Sequence, residues 1–366
     1  MLNKTKLILF YSTILYNFIF GNPSEGVWKQ FLYTDGISSN YIFDIYKDKR
    51  KRVWVGTQNG ITLIDGNSKR KYGAAHGLPA ADVIKITDIN GRVFAATSGQ
   101  GVYVLKGDNF EKVKFIKGSD VYTMENIGEE IFISTNLENI IYDGNKTSFM
   151  GKGFPNDKII DVYSHDGNNW FASEQKIIKS EGNKYVSEKI TFPNTSTKIQ
   201  ALLVDGDIEY FGTNQGLWSR QTDGNVKLIK NINILSLSKT TDGQIIVGSR
   251  KGLYSLSNAT LKKMNPEGQD YLAISKTAVR DIEVISKNEI WYSTFGMGLF
   301  LHNPGTFTTI NTKDGLDVGG MTFDLVKNGN KLYIATKNGL FLYQNNKIDK
   351  HYTKNDGLPS NMILDL

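Results

Sequence analysis

The chain has 366 residues, of which 40% are hydrophobic and 11% aromatic, and it contains 36 Gly but only seven Pro. This composition is typical of a β-rich globular protein and excludes intrinsic disorder. The net charge of +6 is spread along the chain, which argues against a nucleic-acid-binding face, and the absence of Cys excludes disulfides and thiolate metal ligands.

Residues 1–21 form the first distinct segment and have the pattern of an export signal. Lys4 and Lys6 precede a mostly apolar stretch from Leu7 to Phe20, which is short for a membrane span. The cleavage site lacks the preferred small residues, so a cleaved signal peptide and an uncleaved N-terminal anchor both fit. Either one predicts an exported, periplasmic or extracytoplasmic protein.

From residue 53 onward, one short pattern recurs eight times: an aromatic-rich strand that ends in a small residue and then a hydroxyl residue. The copies are VWVGT, VFAAT, IFIST, NWFAS, EYFGT, IIVGS, IWYST and LYIAT, and their hydroxyl residues are Thr57, Thr97, Thr135, Ser173, Thr213, Ser249, Thr294 and Thr336. Spacings of 36 to 45 residues between them mark a structural repeat. We interpret the small residues as room for an aromatic side chain of the neighbouring unit.

The other strands of each unit surround this pattern. An apolar run precedes it and ends in a hairpin turn such as Asn90-Gly91 or Asp205-Gly206, the strongest short signal for a hairpin. A third strand follows, opened in six copies by a Gly that suits a positive φ, and a weaker fourth strand closes the unit. Repeated units of four short antiparallel strands predict a β-propeller.

The predicted fold is therefore all-β, a β-propeller of four-stranded antiparallel blades whose ring is closed by an N-terminal strand. Residues 27–34, VWKQFLYT, resemble an outer strand that stands before the first full unit, so they can complete the last blade and remove its free edge. We favour seven blades over residues 27–305, followed by the truncated start of a second propeller at 306–366, opened by the strand FTTIN at 307–311. The alternative is one eight-bladed propeller over 27–353.

The last ten residues repeat the beginning of the first unit. GLPSNMILDL at 357–366 matches GISSNYIFDI at 36–45 in chemical type at almost every position. The segment predicts the first strand of a ninth unit, and we expect the chain to be a fragment of a longer protein.

The phrases DGISSNYIFDI with VWVGTQNGITLI, and again DGLPSNMILDL, resemble the two-component regulator propeller repeat. The resemblance covers residues 27–366 and is weakest in the third to sixth units. It implies an extracytoplasmic ligand-sensing domain of a transmembrane two-component-type receptor, without enzymatic activity of its own. In the intact protein it also implies membrane tethering and a downstream kinase or cyclase as partner.

The sequence offers no catalytic constellation, since its four His fall in four different units and no nucleophile elbow or phosphate loop is present. We therefore predict no catalytic residue, no metal and no cofactor. Propellers concentrate variable loops at one mouth of the central channel. The candidate ligand-binding residues lie in the turns after the hydroxyl residues: Gln58, Asn59, Gln100, Asn214, Gln215, Arg250, Lys251, Phe295, Met297 and Lys337.

Amides, cations and one aromatic ring at a channel mouth suit a polar ligand, such as a saccharide or an anionic polymer. The competing hypothesis is a free-standing exported propeller, either a surface assembly or binding factor or a polysaccharide-acting enzyme such as a lyase. Such an enzyme should have acids, His or Tyr converging on the mouth loops, and the sequence has only scattered examples. We favour the sensor.

Overall fold

A computed structural model gives the structure of the chain. It describes residues 27–366 except 152, 166, 183, 222–223, 265–273, 305–314, 318, 320, 330 and 346. The predicted signal segment 1–21 and the predicted strand FTTIN lie outside the described residues. Among the described residues, no helix is long and apolar enough to cross a membrane.

The described strands form eight four-stranded antiparallel sheets, seven of which lie in a compact unit that ends at Thr306. Strand β1 (Val27–Phe31) comes first. Blade 1 contains β2 (Ile42–Lys47), β3 (Val53–Thr57), β4 (Gly60–Asp65) and β5 (Ser68–Tyr72); blade 2 contains β6 (Val83–Ile89), β7 (Arg92–Thr97), β8 (Gly101–Lys106) and β9 (Asn109–Lys112). Blade 3 contains β10 (Val121–Ile127), β11 (Glu130–Thr135), β12 (Asn139–Tyr142) and β13 (Thr147–Phe149); blade 4 contains β14 (Ile159–His165), β15 (Asn168–Ser173), β16 (Lys176–Glu181) and β17 (Lys184–Lys189). Blade 5 contains β18 (Ile199–Asp205), β19 (Ile208–Thr213), β20 (Gly216–Arg220) and β21 (Val226–Lys230); blade 6 contains β22 (Ile234–Lys239), β23 (Ile245–Ser249), β24 (Gly252–Ser257) and β25 (Thr260–Lys263).

Blade 7 closes the ring. It contains β26 (Val279–Ser286), β27 (Glu289–Thr294) and β28 (Leu299–Asn303), and its fourth strand is β1, which pairs with β28 from Val27 opposite Asn303 to Phe31 opposite Leu299. The inner strands touch in cyclic order, because β26 contacts both β22 and β2. Trp28 is 4% exposed and stacks on Tyr292 and His302. The predicted fold class, including the closing strand, is confirmed.

The second compact unit begins at Phe307 and holds one further blade among its described residues. Its strands are β29 (Thr322–Asn328), β30 (Lys331–Thr336), β31 (Gly339–Gln344) and β32 (Lys347–Tyr352). There are three short 3₁₀ segments, at Tyr33–Asp35, Ala74–His76 and Lys354–Asp356. The first two precede the inner strands β2 and β6, and the third precedes residues 357–366. The domain ranges given above stay predictions.

The hydroxyl residue that ends each second strand holds the following turn in place. In blade 1, Thr57 Oγ1 donates to the carbonyl of Gly60 at 2.8 Å and accepts the N–H of Asn59 at 3.1 Å. The same bond to a carbonyl three or four residues later is made by Thr97, Thr135, Ser173, Thr213, Ser249, Thr294 and Thr336. All eight are at most 5% exposed. The repeat therefore needs a hydroxyl group there.

Replacing Thr57 by Val should lower the free energy of unfolding by about 1–3 kcal/mol, because the buried carbonyl of Gly60 and the partly buried N–H of Asn59 lose their partner while the volume is kept. Denaturant unfolding measures this change. Thr260, an exposed residue of β25, is the matched control. A similar loss from Thr260→Val would show that the hydroxyl of Thr57 has no special role.

Where the residue before the hydroxyl is Gly, its lack of a side chain makes room for the next blade. A Cβ on Gly56 would lie 2.7 Å from the carbonyl oxygen of Val83, and one on Gly248 would lie 2.7 Å from that of Val279. Both carbonyls belong to the inner strand of the following blade. Backbone, and not the aromatic side chain that we expected from the sequence, therefore approaches these positions.

Every inner strand has a bulge, and in blades 1, 4 and 7 an aspartate at the bulge makes a second repeated contact. At the bulge, Asp44 Oδ2 accepts the N–H of Ile86 in blade 2 at 2.7 Å. Asp281 Oδ2 of blade 7 likewise accepts the N–H of Ile45 in blade 1 at 2.8 Å, so the bond also spans the closure. Asp161 makes the same bond to Leu202. Each of these carboxylates ties its blade to the next one.

The two matching segments at 36–45 and 357–366 also fold alike. The N–H of Tyr33 donates to Asn40 Oδ1 at 2.6 Å, and that of Lys354 donates to Asn361 Oδ1 at 2.7 Å. In the second unit, Asp324 Oδ2 accepts the N–H of Leu366 at 3.0 Å, as Asp281 does for Ile45. Residues 357–366 therefore have the local structure that leads into an inner strand.

Candidate functional site

The turns between second and third strands lie beside the beginnings of the inner strands. The N–H of Gln58 donates to the carbonyl of Tyr41 at 3.1 Å, that of Arg250 to Asn233 at 3.0 Å, and that of Phe295 to Ala278 at 3.1 Å. Turns and strand beginnings thus share one end of the seven-bladed ring. We call this end the turn face.

Three aromatic rings meet on the turn face, where blade 7 is joined to blade 1. Tyr41 and Phe295 form a backbone bridge, and their ring centroids are 4.9 Å apart in an edge-to-face arrangement. Phe43 lies 6.2 Å from Phe295, also edge to face. Tyr41 is 40% exposed and Phe295 47% exposed. This cluster therefore presents apolar ring surface to solvent beside the channel.

An arginine is packed onto these rings. Arg280 Cζ lies 5.0 Å from the ring centroid of Phe43 and 5.8 Å from that of Phe295. Partial burial of its guanidinium lowers the pKa of Arg280, although the residue as a whole is exposed, and the like charge of Arg250 lowers it further, against the opposing charges of Asp82 and Asp281. In the described part of the chain, neither Arg280 nor Arg250 forms an ion pair. We name Tyr41, Phe43, Phe295, Arg280 and Arg250 the aromatic–arginine cluster.

Acidic residues of the inner strands surround one lysine in the channel. Lys85 Nζ pairs with Glu125 Oε1 and lies 3.5 Å from Asp44 Oδ1. Burial alone would lower the pKa of Lys85, but the charges of Glu125 and Asp44 raise it well above its usual value. Three further acids interact electrostatically with members of this group: Asp161, Asp281 and Glu283. We call these five acids and Lys85 the channel carboxylate group.

Burial sets the protonation of these acids. It raises the pKa of Asp44 to about 8 and that of Asp161 to about 7, in both cases against the charge of Lys85. Burial, together with the charge of Asp281, raises the pKa of Glu283 to about 8. Some of these carboxyl groups therefore hold protons near neutral pH. Within the described ranges, no three His, Cys, Asp or Glu side chains are grouped to hold a metal ion.

The structure brings only some of the sequence-predicted residues to this cluster. Phe295 and Arg250 belong to it, and Met297, 38% exposed, lies two residues from Phe295. Gln58 reaches it through its backbone bond to Tyr41. Asn59, Gln100 and Lys251 are exposed in their own turns, and Lys337 belongs to the second unit. That any of them binds a ligand stays a prediction.

Two predicted residues use their side chains within the fold. Asn214 Oδ1 accepts the N–H of Lys198 at 2.7 Å, and its Nδ2 donates to the carbonyl of Ser196 at 3.1 Å. Gln215 Nε2 donates to Ser196 Oγ at 2.7 Å. Both amides therefore hold the loop that enters blade 5. The sequence prediction missed Tyr41, Phe43 and Arg280, because they lie at the beginnings of strands and not in the turns.

Comparison with known proteins agrees with this architecture. The family model described as "Two component regulator propeller" matches residues 36–59. Histidine kinase P4 of Formosa agariphila is 35% identical over 66 residues, which are 17% of this chain and 5% of that protein. The matched segment is thus a small part of the curated relative.

Solved structures extend the likeness to nearly the whole chain. The extracellular domain of the hybrid two component system BT4673 from B. thetaiotaomicron superposes with a TM-score of 0.64 at 17% identity, over 93% of this chain and 49% of that one. Virginiamycin B lyase from Staphylococcus aureus superposes with a TM-score of 0.59 at 12% identity, over 76% of this chain and 99% of the lyase. The chain spans about half the length of the extracellular domain. The chain is a β-propeller protein, and its residues 36–59 match the two-component regulator propeller repeat.

Proposed function

We propose that this chain is the ligand-sensing, extracytoplasmic part of a transmembrane receptor of the two-component type, and that it is not itself an enzyme. The observation that carries the proposal is the position of the aromatic–arginine cluster. The matched repeat at 36–59 contributes Tyr41 and Phe43, and blade 7 contributes Arg280 and Phe295. The candidate site therefore lies across the joint between the first and last blades.

This position suits a sensor for a physical reason. A ligand shifts an equilibrium only by as much as it binds one state better than another. Bound across the joint, a ligand would contact both sides of the closure, and the closing strand is attached there because Gln30 Nε2 of β1 donates to the carbonyl of Met297 at 2.8 Å. Binding would favour the closed ring over any state with a loosened joint.

The chain segments before and after the ring also have roles in the proposed receptor. Residues 1–21 would direct export, residues 27–305 would form the first propeller and residues 306–366 would begin a second one. A downstream kinase or cyclase would receive the signal in the intact protein. The exposure of apolar residues in the second unit supports a further blade beside it: Leu325, Val326, Met362, Leu364 and Leu366.

Incubating the purified full chain with a panel of neutral and acidic polysaccharides and their oligosaccharides tests the sensor against the enzyme. We expect calorimetric binding of at least one ligand, with mass spectra of the mixture unchanged after prolonged incubation. Replacing Phe295 by Ala should abolish this binding, while replacing Phe149, which is 75% exposed on β13, should not. New products would contradict the sensor and support a lyase-like enzyme.

A further inference from the structure

We infer that the aromatic–arginine cluster binds an organic anion, with its negative group on Arg280 and an apolar ring face against Phe295 and Tyr41. The inference rests on the proposed function, since it assigns a ligand class to the same site. Carboxylate, sulfate and phosphate groups share the required chemistry. A ring bearing such a group could be an aromatic acid or an acidic sugar.

The first argument is charge. Among the described residues Arg280 has no ion-pair partner. Asp82 and Asp281 act on it without forming an ion pair, and the like charge of Arg250 opposes them. An anion in contact with Arg280 would supply the missing partner. Charge therefore favours an anionic ligand over a neutral one.

The second argument is the geometry of Arg280. Arg280 Cζ lies over the rings of Phe43 and Phe295, 5.0 and 5.8 Å from their centroids. A cation–π contact supplies no oxygen acceptor, so the N–H donors of the guanidinium stay available to an anion. A guanidinium fixed in this way presents a preorganised fork of donors, which matches the paired oxygens of carboxylate, sulfate or phosphate.

The third argument is the apolar surface next to that fork. Tyr41, Phe295 and Met297 are 40%, 47% and 38% exposed, although large apolar side chains are usually covered. A ligand ring placed against Phe295 would remove this surface from water, and an inorganic anion would not. The site thus combines an anion-binding group with a surface for a ring.

Calorimetry with the full chain and four small probes tests the inference: benzoate, glucuronate, benzyl alcohol and glucose. We expect benzoate, glucuronate or both to bind, and the neutral partner of each to bind at least about tenfold more weakly, because a charge-assisted hydrogen bond is lost. Benzoate and glucuronate separate an aromatic acid from an acidic sugar. Affinity should fall as salt is added, since the pair is partly exposed to solvent.

Replacing Arg280 by Gln should weaken binding of the anionic probe at least about tenfold, with an unchanged melting temperature. Arg70 is the matched control, because its Cζ also lies 5.0 Å from an aromatic ring, that of Tyr72, outside the cluster. Equal binding of neutral and anionic probes, no binding of either anion, or full affinity in Arg280→Gln would overturn the inference. A neutral oligosaccharide bound through Phe295 would overturn it and leave the proposed function standing.

Discussion

Replacing Gly298 by Ala should destabilise the ring at its closure, with a loss of about 3 kcal/mol or more in the free energy of unfolding. Gly298 opens the third strand of blade 7 with a φ of +77°, and a Cβ there would lie 2.2 Å from the carbonyl oxygen of Phe31. That carbonyl belongs to β1, the closing strand. The strand would have to move away from β28, and denaturant unfolding would measure the cost.

Gly66 separates backbone strain from collision in this experiment. Its φ is +56°, but a Cβ there would meet nothing within 4 Å. Gly66→Ala should therefore lower the free energy of unfolding only by the strain of the left-handed conformation, about 1–2 kcal/mol. If the two substitutions cost the same, the close approach of β1 would not be what makes Gly298 necessary.

Raising the pH from about 5 to about 9 should weaken the seven-bladed ring, because the folded state holds protons that the unfolded state releases. Burial raises the pKa of Asp44 and Glu283 to about 8 and that of Asp161 to about 7. A carboxyl group whose pKa is higher in the folded state than in the unfolded state contributes its full stabilisation below the unfolded-state pKa, which is near 4. This stability is lost as the pH rises through 7 and 8. Melting temperature against pH measures the effect.

Asp161→Asn is the sharpest test of this pH dependence. An Asn oxygen can still accept the N–H of Leu202, which Asp161 accepts at 2.7 Å, but it carries no charge to be desolvated. The variant should be more stable than the parent at pH 9, on the order of 1 kcal/mol, and its pH dependence should be flatter. Asp65, exposed at the end of β4, is the control. An unchanged slope in Asp161→Asn would remove this carboxyl from the explanation.

The blades could be predicted from the sequence because each one repeats the same local chemistry. A strand that ends in a small residue and a hydroxyl recurs because Thr57 and its equivalents hold the same turn. In three blades, the glycine at the small position, Gly56, Gly212 or Gly248, also lies against the next inner strand. The sequence prediction found these columns but assigned the small residue to an aromatic neighbour. Periodicity shows that a position is constrained, and it does not show which atoms constrain it.

The candidate site was only partly predictable for a different reason. Phe43 and Arg280 come from blades 1 and 7, so their contact depends on the ring closing after seven blades. With eight blades, Phe43 would face another strand. Asn214 and Gln215 were predicted as ligand-binding residues because they lie in a turn at the mouth of the channel, but the loop at 194–198 engages both amides. Which turn side chains remain free depends on contacts between segments that no single repeat contains.

The carboxylate at the inner-strand bulge bears on how such a protein changes its size during evolution. Asp44 reaches forward to blade 2 in the same way as Asp281 reaches across the closure to blade 1. Every junction that has this bond uses one acceptor from the earlier unit and one donor from the later unit. Unequal crossing-over that duplicates a whole unit would therefore supply both halves of a new junction.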